Sequence, residues 1–288
     1  MEIKQKASQL LRIAMLACTL LAGIAILVAT LTQYDNGTAY FMVGAWLPAV
    51  AVSLALLGGL LGTVGAILAR KEDLSDSPFG NNLPSPLAIG GLVASILMLW
   101  KYMTQGRAII DLILALLLVL LTVYALLSSF AKLRESHATA LVFLGFAAML
   151  GCMLIAIVCY FDMSLEMNAP AKVSTQVALL VTAVYFTAEI RYLLRAPLPK
   201  LLLVLLSWIA PLGALAVCST IPLLLLGELT DRTYAATSAL LLGMLALIPL
   251  RMHALKKAPV SPSEEETEGE KADSPDTPTD DANGEDLT

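Results

Sequence analysis

A glutamate buried in an apolar run is the residue of this chain best placed to do chemistry. Glu189 stands six positions past Ala183, the midpoint of the run between Lys172 and Arg195, or ~9 Å from a bilayer midplane at ~1.5 Å per residue. At that depth a carboxylate is costly unless it is paired, protonated or wet, so it marks a site or an ion path. On a helix, Ser174, Thr175, Ala178, Thr182, Tyr185, Glu189 and Tyr192 share one face, whereas Val177, Leu180, Val184 and Ala188 share the other. Glu189, Tyr185, Thr182 and Thr175 thus form a candidate intramembrane polar site: a proton or cation position beside hydroxyls able to hold a small solute. The same residue types also line ordinary helix contacts. Arg191 projects to the opposite side, so a simple ion pair within this helix is not expected.

Two further groups carry chemical interest. Pro211, Gly213, Ser219, Thr220 and Pro222 lie in one long apolar run. Each proline removes a backbone donor and crowds the preceding turn, which predicts a kink or break. Ser219 and Thr220 would then bond the freed carbonyls, forming a broken-helix site of the kind that holds substrates and ions in transporters. Lys101, Arg107 and Asp111 form a charge cluster expected near external headgroups. Arg107 and Asp111, four apart on one helix face, suit an anchored ion pair or an anion-attracting mouth.

The elements that must position these residues follow from hydropathy. The 288 residues are 58% hydrophobic and 14% charged, against ~45–50% and ~25% in soluble domains. Eight apolar runs, residues 10–32, 43–68, 87–104, 108–130, 139–161, 174–194, 201–227 and 234–252, approach the ~20 residues a helix needs to cross a bilayer. Runs such as Leu112–Leu121 lack period-two alternation, so helices are favoured over a barrel. The expected fold is all-α, a polytopic transmembrane helical bundle of eight spans. Although Lys4, Lys6 and Arg12 precede the first run, it is too long for a typical signal-peptide core and reads as a retained helix.

Charge sets the expected orientation. Of 18 Lys and Arg residues, 14 fall at the N-terminus, in the even-numbered loops or after the last span, placing both termini in the cytoplasm. Residues 1–257 form the eight-span domain. Residues 258–288 form an acidic tail; from Ser261 onward it holds 11 acidic side chains and one Lys, too polar to bury a core and therefore expected to be disordered.

Function is left open between two classes. No phosphate-binding loop, dinucleotide fingerprint, metalloprotease helix or serine-hydrolase elbow is present in the sequence. Cys18, Cys152, Cys159 and Cys218 lie inside spans, and the two histidines, His137 and His253, stand far apart. No metal, no cofactor, no nucleic-acid binding and no enzymatic activity are therefore expected. The leading expectation is a non-enzymatic scaffold, sensor or accessory subunit, its partners besides the lipid bilayer docking on the acidic tail or on the Gly58/Gly62 helix face, small residues that serve equally for packing inside the monomer. The alternative is a transporter or permease-like protein for a small solute, with a proton or cation site at Glu189. An intramembrane enzyme is the least supported. Short loops and compact size point to a cell membrane, specifically a bacterial plasma membrane.

Overall fold

The computed structural model describes residues 2–35, 38–69, 74–75, 78–79, 85–106 and 108–255, with side chains from Lys6 onward. Arg107 and the acidic tail lie outside the described residues. The elements are α1 (Glu2–Thr32), β1 (Tyr34–Asp35), β2 (Tyr40–Phe41), α2 (Leu47–Leu68), α3 (Pro86–Thr104), α4 (Ile109–Ser129), α5 (Ala131–Ser136), α6 (Ala138–Phe161), α7 (Pro170–Leu193), α8 (Pro199–Leu225) and α9 (Arg232–Ala254). Eight of these helices, all but the short α5, are long and apolar enough to cross a membrane. Each corresponds to one of the apolar runs. The fold is a multi-pass, mostly helical bundle with, among the described residues, one two-stranded hairpin, β1 antiparallel to β2.

Helix starts follow local chemistry. Proline stands in the first turn of α2, α3, α7 and α8, where a missing N–H costs nothing and the fixed φ already suits a helix. Asp231 caps α9 by accepting from the Thr233 N–H at 2.8 Å.

Six helices form a closed circuit, α3–α4–α6–α7–α8–α9 and back to α3, while α1 and α2 pair with each other and lie on α8. The most buried spans are α7, α8 and α9. Polarity is inverted relative to a soluble protein. Leu20, Leu60, Leu116, Phe143 and Leu180 are exposed, whereas Glu189, Lys172, Asp111 and Arg251 are buried. Such an apolar exterior fits embedding in lipid.

Without a hydrophobic drive between helices in lipid, close backbone approach must hold the bundle. At the α3–α9 crossing, a Cβ on Gly90 would stand 2.6 Å from the Ala239 carbonyl oxygen and one on Gly243 3.0 Å from that of Pro86. Only hydrogen fits there. The Gly58/Gly62 face packs inside the monomer and is not left open as a docking surface. Gly58 meets Cys18 and Met15 of α1, and Gly62 meets Met15 and Ser207 of α8. The small residues let α1 and α8 close on α2, which leaves no room for another protein.

A second correction concerns the prolines. Helix α8 runs unbroken through both Pro211 and Pro222. The Ser219 and Thr220 hydroxyls both donate to the Ala216 carbonyl, at 3.1 and 2.6 Å. The carbonyl that Pro222 deprives of its N–H partner is that of Cys218, four residues back. These hydroxyls therefore do not repair a break.

Contacts define two ends of the bundle. At the terminal end, Ser8 bonds the Gly65 carbonyl at 2.8 Å and the Ser75 N–H bonds the Leu255 carbonyl at 2.9 Å. At the hairpin end lie β1–β2 and the start of α9.

Candidate functional site

Glu189 is fully buried near the terminal end of α7. Its Oε1 stands 2.6 Å from Arg251 Nη2 of α9. Tyr185, one turn earlier on α7, donates to the same oxygen at 2.9 Å, and Tyr124 of α4 donates to Oε2 at 2.9 Å. Both carboxylate oxygens are satisfied by groups from three helices. Charge neutralisation and hydrogen bonding together offset the desolvation that makes such a group costly.

Arg251 reaches further. Its Nε donates to Tyr185 Oη at 3.3 Å and its Nη1 to the Pro78 carbonyl at 3.2 Å. Its guanidinium carbon lies 4.7 Å from the centre of the Phe79 ring, and that of Arg134 lies at the same distance. Phe79 is buried, and two cations share its ring. Burial, then the nearby Arg251 charge, lower the Arg134 pKa from its ordinary value. Pro78 and Phe79, between α2 and α3, thereby pack against Arg251 of the ion pair.

No family model matches the chain, and neither does any curated protein or solved structure. Function must be read from the geometry alone.

The polar stripe of α7 divides between two places. Tyr185 joins Glu189, but Thr182 turns back to the Ala178 carbonyl at 2.8 Å. Thr175 stands 14 positions from Glu189, ~21 Å along the helix, where its hydroxyl lies 3.4 Å from that of Thr220. Ser174 and Ser219 lie at the same separation. The stripe of α7 and the hydroxyls of α8 therefore meet, but at the hairpin end and away from the carboxylate. Pro211 is buried in α8, and a Cβ on Gly213 would touch Leu245 of α9 at 3.2 Å. These two residues pack helices and contact neither polar group. Glu189 faces α4 and α9.

The charge cluster around Lys101, at the hairpin end, is larger than expected. Lys101 Nζ lies 2.9 Å from Asp231 Oδ1, 2.7 Å from Thr233 Oγ1 and 3.6 Å from Asp111 Oδ1. Arg232 stacks on Trp100 at 4.0 Å and donates to Thr104. Burial pushes the Asp231 carboxyl pKa up, but the bonds from Thr233 and Lys101 and the Lys101 charge outweigh it and hold the carboxyl below its usual range. The arrangement staples α3 and α4 to α9.

Tyr124, Arg251, Phe79 and Asp231 were not singled out as site residues from the sequence. Tyr124 offered a faint signal as a phenol inside the Leu-rich 108–130 run, since a buried tyrosine needs a partner for its hydroxyl. Among the described residues, no group of three or more His, Cys, Asp or Glu side chains could hold a metal ion. What the cluster can do is hold or release charge, because opening the pair frees a carboxylate and a guanidinium inside the bundle.

Proposed function

We propose that this chain is a transporter or permease-like protein for a small solute, and that the Glu189–Arg251 pair is its gate at the terminal end. The observation that carries this reading is the fully buried carboxylate bound by Arg251, Tyr185 and Tyr124 across three helices. Apolar side chains of similar volume would hold those helices at no greater cost. Charges inside a membrane bundle usually mark a route for protons, ions or polar solutes. This internal network favours transport over an inert scaffold.

The excess of Lys and Arg on the even loops assigns the terminal end to the cytoplasm. The gate is then shut on the cytoplasmic side, with Pro78 and Phe79 closing over it, while the Ser174–Ser219 level faces outward. Rocking of α9 against α7 would part the ion pair. Glu189, freed from Arg251, would then be the proton or cation site. The setting is a cell membrane, and short loops suit a bacterial plasma membrane.

Labelling from the two sides of the membrane tests this. In a chain whose four cysteines are replaced by alanine, single cysteines at Ser53 and at Leu247 report the two ends. With the pair intact, an impermeant maleimide should reach Ser53→Cys from outside and leave Leu247→Cys untouched. With Glu189→Gln and Arg251→Gln together, Leu247→Cys should become reactive from the cytoplasmic side. Unchanged labelling at both positions, in protein that remains folded, would reduce the pair to a structural brace.

A further inference from the structure

The hairpin end contains a cavity of about 480 Å³ between the starts of α2 and α7, with α8 behind it. That size falls within the ~300–1,000 Å³ of ordinary ligand sites. The helices around it explain why it exists. Both α2 and α7 pack on α8, yet among the described residues they do not pack along each other. A slot therefore stays open between them.

The chemistry of the lining is narrow. Among the described residues it carries no charged side chain, and its polar side-chain groups are the hydroxyls of Ser53, Ser174 and Ser219. Ser219 is buried and donates to the Ala216 carbonyl, and Ser174 donates to that of Ala171. The two hydroxyls stand 3.4 Å apart, so each has a lone pair with which to accept from a ligand. Pro48 and Pro170 line the space at the two helix starts, and proline has no N–H to offer an anion. A charged ligand would lose its hydration here and gain no counter-charge. The rest of the lining is apolar. Val52 both lines the cavity and is 48% exposed, so the cavity opens onto the apolar outer face.

We infer that this cavity binds a neutral amphiphile, an aliphatic chain ending in a hydroxyl group, taken laterally from the bilayer. The chain lies against Val52 and Leu215, and its polar end bonds Ser174 and Ser219. The inference rests on the transport reading in one respect: it names the class of solute that the Glu189–Arg251 gate would pass.

The test uses the full chain in phosphatidylcholine nanodiscs with a diazirine-bearing hexadecanol as photoprobe. Saturable labelling should map to residues 47–53 and 170–174, with hexadecanol competing and hexadecyl phosphate not. Ser174→Ala should weaken labelling by about three- to tenfold, the loss of one hydrogen bond, and Ala49→Trp should abolish it by filling the space. Non-saturable label spread over all outward faces, or equal competition by hexadecyl phosphate, would overturn the inference. The gate is judged separately. Site-specific labelling in a protein whose maleimide pattern never switches supports this binding site and rejects transport. A switching protein that takes no label keeps the gate and rejects the amphiphile.

Discussion

The two ends of the bundle hold ion pairs of similar length in different surroundings. At the hairpin end, Lys101 and Asp231 are 12% and 19% exposed, and Lys101 also reaches Asp111 and Thr233. At the terminal end, Arg251 and Glu189 are 6% and 0% exposed. Loss of one group in the first cluster leaves substitutes and nearby water. Loss of either charge in the second leaves its partner among phenols and hydrocarbon. Burial, more than distance, decides which pair is structurally replaceable and which commits the protein to one arrangement.

The largest effect should come from splitting the buried pair. Glu189→Met or Arg251→Met alone should destabilise the bundle by about 3–5 kcal/mol, the typical cost of an orphaned buried charge. The double variant should recover most of that loss, because its two apolar side chains leave no charge to solvate. Thermal unfolding of the four proteins in one detergent measures this cycle. A double variant as unstable as the two losses added would show that the pair was never coupled.

A smaller effect separates the two tyrosines. Each phenol gives the carboxylate one hydrogen bond, worth about 1.5–3 kcal/mol when the acceptor is charged. Tyr185 also accepts from Arg251 Nε, so Tyr185→Phe should cost more than Tyr124→Phe. Equal losses in the same unfolding measurement would mean that the Arg251–Tyr185 contact contributes nothing.

The sequence makes these residues unequally visible. Spans are legible because hydropathy reports directly on a lipid-facing exterior, and α6 (Ala138–Phe161) matches its run at 139–161 almost to the residue. Glu189 is legible because no other acidic residue interrupts the 174–194 run. Its partner is not. Arg251 follows Pro249 at the end of the last span and looks like any cation that sets topology; only the rotation of α9 turns it inward. Tyr124 lies 65 positions from Glu189, a pairing that helix packing alone creates. Proline misleads in the other direction. Pro211 and Pro222 imply a break by local rules, but the packing around buried α8 keeps the helix continuous.

The hairpin end should show the smallest effect and the clearest dependence on conditions. Asp231→Asn removes the charge yet keeps a side-chain oxygen for the Thr233 N–H, since asparagine caps helices as well as aspartate does. What remains to be lost is the electrostatic part, about 1 kcal/mol for a partly exposed pair. The folded-state pKa of Asp231 is depressed, so its contribution is complete above the ordinary carboxylate value of ~3.9. It disappears as pH falls through the lower folded value. The difference in unfolding temperature between the natural chain and Asp231→Asn should therefore be constant near neutrality and shrink below about pH 4. It should also fall in ~1 M salt, where the screening length is ~3 Å, whereas the Glu189–Arg251 cycle should be nearly indifferent to salt. Equal salt sensitivity at the two ends would mean that water reaches the terminal-end pair, erasing the contrast in burial on which the gate depends.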